Sequence, residues 1–433
     1  MNNAKIAWFS ETIAFAIPLS VGMFWPLYTG PDSPIGMNLR VGLIALTSML
    51  WVLWYRVPFT RAELKLMAIV LLVCALALVS AFCAADYGRA LKDWLKLGMT
   101  CMLALALMRP LRHGGTAKAF GTAMLIASLI PAIYIVFIYF QSMGFTIPSY
   151  AELRIFKGRM LEHENVALNP IAFTACFSFA VGICLVRLRP AVWIIGLFVF
   201  IVAATLTGSR TPLAVFLGSC ILLAGMETAR SRALGVRAAF WITAFLAAGT
   251  LTTLLATADS GSMSLLTEGR SDLWKVAWAK FQEKPLAGYG FESWQDDLVS
   301  RIPRESEVTR NLVTLKAGGY HNQYLTLLAE QGLVGFIPAM IFLSVLFAWC
   351  CRLAGSTSIA RKSGLACLFT CLLLLLRAWI EVPGLFGYGD SPPDYLAYCF
   401  VAVVVSRLSN EEDWQALAHM QPHERLKYGD ART

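Results

Sequence analysis

Apolar runs long enough to cross a bilayer, roughly 17–25 residues, recur from one end of this chain to the other. Lipid offers the backbone no water, so a spanning segment must satisfy its own hydrogen bonds, as a helix or within a closed barrel. Runs of this length read as helices. They fall near 8–28, 38–55, 65–83, 90–108, 119–142, 166–186, 191–207, 212–227, 237–256, 325–350, 363–382 and 394–407. The expectation is an all-α, polytopic membrane protein of about 12 transmembrane helices, with one transmembrane domain over 1–433. Only 15% of residues are charged and 58% are hydrophobic, against about 25% charged in soluble domains. No small-residue cleavage site follows the first run at Phe24-Trp25-Pro26-Leu27-Tyr28, so it is expected to stay as a span. The eleven cysteines, Cys74 to Cys399, fall in apolar runs. They read as packing residues, not as a disulfide framework or metal cluster.

The formal charge of +9 does not indicate nucleic acid, because its distribution follows the spans. With the N-terminus in the cytoplasm, the inner loops hold fourteen basic residues, from Arg56 and Arg61 through Arg109, Arg112, Arg187 and Arg230 to Arg352 and Lys362. The short outer loops hold five: Arg89, Arg154, Lys157, Arg159 and Arg210. This positive-inside bias places both termini in the cytoplasm. Two outer segments exceed simple connectors, the charged 143–165 and the long loop 257–320, and loops of that length are usually functional. The tail 408–433 is short, polar and expected to fray. Inside the long loop, Ser271 is a cap for a helix with Leu273, Trp274, Ala277, Trp278 and Phe281 on one face. Lys275, Lys280 and Gln282 are expected to point elsewhere, and Pro285 to end the helix.

Charge within or beside a span asks for a reason, because it costs about 2.5–3.5 kcal/mol at the centre. Arg89, Lys92 and Lys96 share a helical face at the outer end of the fourth span, and Arg377 lies one turn before Glu381. They are either snorkelling side chains and an intrahelical pair, or the wall of a basic, outward-facing chamber for phosphate-bearing lipids. Arg210 lies in the tight turn Gly208-Ser209-Arg210-Thr211-Pro212. It can anchor to headgroups, or bind an anion through two parallel hydrogen bonds. Arg270 precedes a helix N-terminus, where unpaired N–H groups favour an anion. His321 stands in Tyr320-His321-Asn322-Gln323-Tyr324, where the long polar loop meets an apolar run. An imidazole there takes and returns a proton near neutral pH. No His-Glu-x-x-His or cysteine-rich ligand set occurs, so neither metal nor cofactor is expected. Paired carboxylates of glycosidase type are also not evident.

Four segments taken in order carry a resemblance. They are Gly269-Arg270-Ser271-Asp272-Leu273-Trp274, Lys284-Pro285-Leu286-Ala287-Gly288-Tyr289-Gly290, Tyr320-His321-Asn322-Gln323-Tyr324 and Glu330-Gln331-Gly332-Leu333-Val334-Gly335. With the Gly208–Thr211 turn, they resemble the lipopolysaccharide O-antigen ligases over roughly 150–350. The resemblance implies a membrane fold of the glycosyltransferase-C type in the bacterial inner membrane, with a large periplasmic loop carrying short helices. It implies transfer of a glycan from undecaprenyl diphosphate to lipid A–core on the periplasmic side, with inversion and without metal. By position, His321 is then the catalytic histidine, and Arg210 and Arg270 hold the diphosphate. Arg154 or Arg159 is the counterpart of the family's arginine in the outer loop 143–165. Tyr320, Asn322, Arg89, Lys92, Lys96 and Arg377 are further substrate-binding candidates, and Asp32 is the rival base. An O-antigen polymerase or a protein O-oligosaccharyltransferase shares the donor. A transporter of an anionic lipid or sugar is the more distant alternative, expected to carry inverted repeats and mid-membrane polar groups.

Overall fold

The computed structural model describes residues 59–144, 168–186, 198, 201–203, 205–207, 210–230, 270–291, 293, 320–356, 360–379, 386 and 392–419. Nine α-helices are described: α1 Arg61–Phe82, α2 Tyr87–Met108, α3 Gly114–Met143, α4 Leu168–Leu185, α5 Arg210–Arg230, α6 Arg270–Glu283, α7 Gln323–Gly355, α8 Ala360–Ala378 and α9 Pro392–His419. A 3-10 turn, Pro110–Arg112, joins α2 to α3. Eight of these helices fall on expected spans, and α6 falls in the long loop. Among the described residues, four stretches are long and apolar enough to cross a membrane: Arg61–Phe82, Tyr87–Arg112, Gly114–Met143 and Gln323–Gly355. The spans near 8–28, 38–55 and 237–256, and most of 191–207, lie outside the described residues.

Local chemistry sets the helix ends. Thr60 and Glu63 form a reciprocal capping box at the start of α1, and the Asp86 side chain accepts the Arg89 amide at the start of α2. Each satisfies donors that a helix N-terminus leaves open. At Gly144 the backbone turns to φ 73°, and α3 ends with the Gly144 amide donating to the Phe140 carbonyl. Helices α3 and α4 meet through small residues. A Cβ on Gly121 would come within 2.7 Å of Leu185, and one on Gly182 within 2.7 Å of Leu125. Close backbone approach at glycine drives helix pairing where the lipid is as apolar as the side chains.

The bundle is organised around α9, whose residues 394–406 are all buried. A helix apolar all round belongs in the interior. Large apolar side chains instead face outward on α1 (Leu71, Val79, Phe82), α3 (Ile133, Phe137) and α7 (Ile337, Ile341). Exposed apolar area on this scale needs a hydrocarbon or protein partner. Of the tail, α9 takes up residues to His419, with Leu408 and Ser409 buried, and 420–433 lie outside the described residues. Polar contacts hold it there. Ser409 shares a 2.8 Å hydrogen bond with Thr60, the Asn410 side-chain amide donates to the Arg112 carbonyl at 3.4 Å, and Arg352 meets Glu411 at 3.6 Å. Arg407 donates to the carbonyls of Cys184 and Leu185, closing the C-terminus of α4. This end of the bundle thus collects residues that the charge pattern assigns to the cytoplasmic side.

All eleven cysteines are free thiols; seven are buried, and Cys83 alone among them is exposed, at the end of α1.

Candidate active site

The opposite end of the bundle is built on a broken helix. Gly332 sits at φ 58°, ψ −158°, and interrupts α7 two residues after Glu330. A break within a helix strands carbonyls before it and amides after it. The segment after α6 takes up both sets. The amides of Tyr289 and Gly290 donate to the carbonyls of Ala329 and Glu330, at 3.0 and 2.8 Å. The amides of Leu333 and Val334 donate to the carbonyls of Pro285 and Leu286, at 2.8 and 3.0 Å. Ser80 of α1 adds its hydroxyl to the Glu330 carbonyl at 3.1 Å. Two of the signature segments are therefore one backbone clasp.

Glycine is required on both sides of it. Gly288, Gly290 and Gly332 have φ of 68°, 106° and 58°, a region that L side chains enter at a cost. A Cβ on Gly288 would overlap the Glu330 carbonyl, and one on Gly332 the Leu286 carbonyl. A Cβ on Gly290 would strike Ala84, so the α1–α2 turn packs against the same clasp.

His321 immediately precedes α7. It is the one described non-glycine residue with positive φ, 51°, and is half-buried with its Nε2 atom inside. Asn322 is the helix cap, its side chain accepting the Leu325 amide at 3.0 Å. Tyr320, on the other side, is fully buried. A buried ring and a cap thus fix the residue between them in a left-handed backbone state.

Arg270 is the first residue of α6 and is half-buried. The helix starts one residue before the cap expected at Ser271. Its buried face also differs from the expected one. Leu273, Val276, Ala277 and Lys280 are inside, while Trp278 is 47% exposed. Lys280 does not point away; its exposure is 0%. Positions i, i+3, i+4 and i+7 place it on the stripe that packs against α7. Its ammonium donates to the Ser293 carbonyl at 3.3 Å and lies 5.0 Å from the centre of the Tyr289 ring. Lys284 lies over the same ring at 4.4 Å, and the Tyr289 hydroxyl bonds Glu283. A buried ammonium needs such partners. Lys280 therefore ties α6 to the clasp.

Of the basic face on α2, Arg89 is half-buried and Lys92 exposed, while Lys96 is ion-paired to the buried Asp93. The acid one turn before Lys96 was the signal that the basic stripe is partly neutralised. Arg377, in the last turn of α8, is buried with its guanidinium 4.4 Å from the Phe173 ring centre of α4. Its turn packs on the head of α7, where the Tyr324 hydroxyl donates to the Leu375 carbonyl at 3.1 Å and the ring meets Trp379. The structure thus gathers the α2 turn, the clasped α6–α7 pair and the end of α8 at one end. Arg210 begins α5; its side chain, Arg154, Arg159 and Asp32 lie outside the described residues.

These features define an all-helical membrane protein with an imidazole and arginines at helix ends on one side of the bundle. Residues 171–340 match the family model described as O-antigen ligase. The matched segment holds Arg210, Arg270, His321 and the whole clasp; Arg89, Lys92, Lys96 and Arg377 fall outside it. No curated protein matches the chain.

Proposed function

We propose that this protein is an O-antigen ligase. It transfers a glycan from undecaprenyl diphosphate to a sugar of the lipid A–core, at the periplasmic face of the bacterial inner membrane. One observation carries the reading: within the family-matched segment, His321 heads α7 and Arg270 heads α6, and a single clasp joins the two helices. An acceptor hydroxyl attacks the anomeric carbon, the bond to the diphosphate breaks, and the configuration inverts in this single displacement. His321 takes the hydroxyl's proton, a contribution of typically 10²–10⁴ in rate. Arg210 and Arg270 hold the charge that develops on the departing diphosphate, a role worth about 10²–10³ per donor.

The test is transfer by the full-length protein in nanodiscs. Undecaprenyl diphosphate-linked glycan is supplied with lipid A–core, with a second lipid-linked glycan, or with a serine-rich peptide. Extension of lipid A–core is expected, lost in His321→Ala at normal protein level and unchanged by chelator. Extension of the second glycan instead would make it a polymerase, and of the peptide a protein-glycosylating enzyme. No transfer to any acceptor by the wild type would end the proposal.

A further inference from the structure

Two neutral donors near the candidate active site find no acceptor among the described residues. Gln323, the first residue of α7, is only 4% exposed, and its Nε2 is buried with no hydrogen-bond acceptor. The Nε1 of Trp274, on α6, is likewise buried and without an acceptor. A buried donor left unsatisfied is costly, and a native structure that keeps one calls for an explanation. Methionine at 323 would fill nearly the same volume without a donor, so packing alone does not account for Gln323; phenylalanine at 274 would keep an aromatic ring but lose the donor.

Their positions supply the account. Gln323 is two residues from His321. Trp274 is four residues after Arg270, so the two share one face of α6 with Cβ atoms about 6 Å apart. Helices α6 and α7 pack against each other through Leu273, Ala277 and the clasp. Each spare donor therefore stands beside one of the residues assigned to the reaction.

We infer that Trp274 and Gln323 bind the first sugar of the donor glycan, donating hydrogen bonds to its neutral oxygens. The inference rests on the proposed function and deepens it. An arginine suits the charged diphosphate, whereas an indole N–H and an amide are uncharged donors suited to hydroxyl or N-acyl carbonyl oxygens. The half-buried indole also offers an apolar face for the C–H side of a pyranose. The two donors then read the sugar, while arginine holds the phosphate next to it.

The variants Trp274→Phe and Gln323→Met in full-length protein separate this role from a structural one. Binding of undecaprenyl diphosphate-linked glycan and of sugar-free undecaprenyl diphosphate is measured in nanodiscs, together with thermal unfolding of the unliganded protein. Each variant is expected to bind the glycan-bearing lipid about five- to tenfold more weakly, the loss of one neutral hydrogen bond. Binding of the sugar-free lipid should be unchanged, and the unfolding temperature of Gln323→Met unchanged or raised, because a stranded donor is gone. Lowered unfolding temperature with unaltered binding would make both residues structural and overturn the inference. Equal weakening for both lipids would place the donors on the phosphate and overturn the sugar assignment. Binding needs no turnover, so a wild type inactive in transfer would end the proposed function while this comparison still decides the inference.

Discussion

His321 is held at φ 51° between a buried tyrosine and the cap of a long helix. A left-handed backbone at a non-glycine residue costs about 1–3 kcal/mol and tends to persist where function requires it. That cost separates the side chain's chemistry from its contribution to folding. His321→Gly releases the strain but widens the unfolded ensemble, an offset of roughly 0.5–1 kcal/mol. Stability measured by thermal unfolding should stay within about 1 kcal/mol of wild type, while transfer falls at least a hundredfold. His321→Val should lose transfer and also unfold earlier, because a β-branched side chain fits this backbone poorly. Transfer retained in the glycine variant would remove the imidazole from the reaction. His321 stood out as a candidate in the sequence from its place at the junction of a polar loop and an apolar run. Its backbone strain was not, because φ follows from the packing of Tyr320 and the capping by Asn322.

At the scale of the element, two of the family-like segments owe their composition to backbone geometry. A methyl group on Gly332 meets the Leu286 carbonyl and forces φ 58° on an L residue. Gly332→Ala is expected to cost about 1–3 kcal/mol from the backbone term alone, before any lost clasp bonds. Gly355, whose added Cβ meets nothing, is the control, and its alanine variant should fold as wild type. Equal protein yields for Gly332→Ala and Gly355→Ala would refute the clasp. At the opposite end, Glu63 is fully buried and meets Arg112 at 3.7 Å. Arg112→Ala leaves that carboxylate buried without its cation, a loss of about 3–5 kcal/mol. Glu63→Gln in the same background should recover part of it in unfolding measurements. Cap and periodicity together reached α6 to within two residues at its start, yet misassigned Lys280. A lysine on the apolar stripe looks like an outlier until its partners, Tyr289 and Ser293, are brought in by the clasp, which no local pattern encodes. The Lys96–Asp93 pair is the reverse case, visible at i, i+3 but masked by the two other cations around it.

For the whole molecule, the contacts at the two ends assign a direction to the chain. Thr60, Arg112, Arg352 and Ser409 meet at one end; Ala84, Gly290 and Glu330 meet at the other, with His321 nine residues from Glu330 along α7. The apolar runs made α1 to α3 and α7 legible, because length and hydropathy alone decide whether a helix can span. The central burial of α9 was not, since its run is short and ends in polar residues whose partners are Thr60, Arg112, Arg352 and the last carbonyls of α4. Loop charge predicts that the clasp end faces the periplasm. Cys83 makes this measurable. It is exposed at the end of α1, adjacent to the Ala84 that packs against Gly290, while the other ten thiols are buried or half-buried. A membrane-impermeant maleimide should label the wild type in intact spheroplasts and should not label Cys83→Ser. Labelling that appears only after the membrane is permeabilised would reverse α1. The clasp, Arg270 and His321 would then lie on the cytoplasmic side, away from any acceptor on the outer leaflet. Because Cys83 and the clasp are joined through one glycine contact, this single thiol reports the side of the membrane on which the proposed transfer would occur.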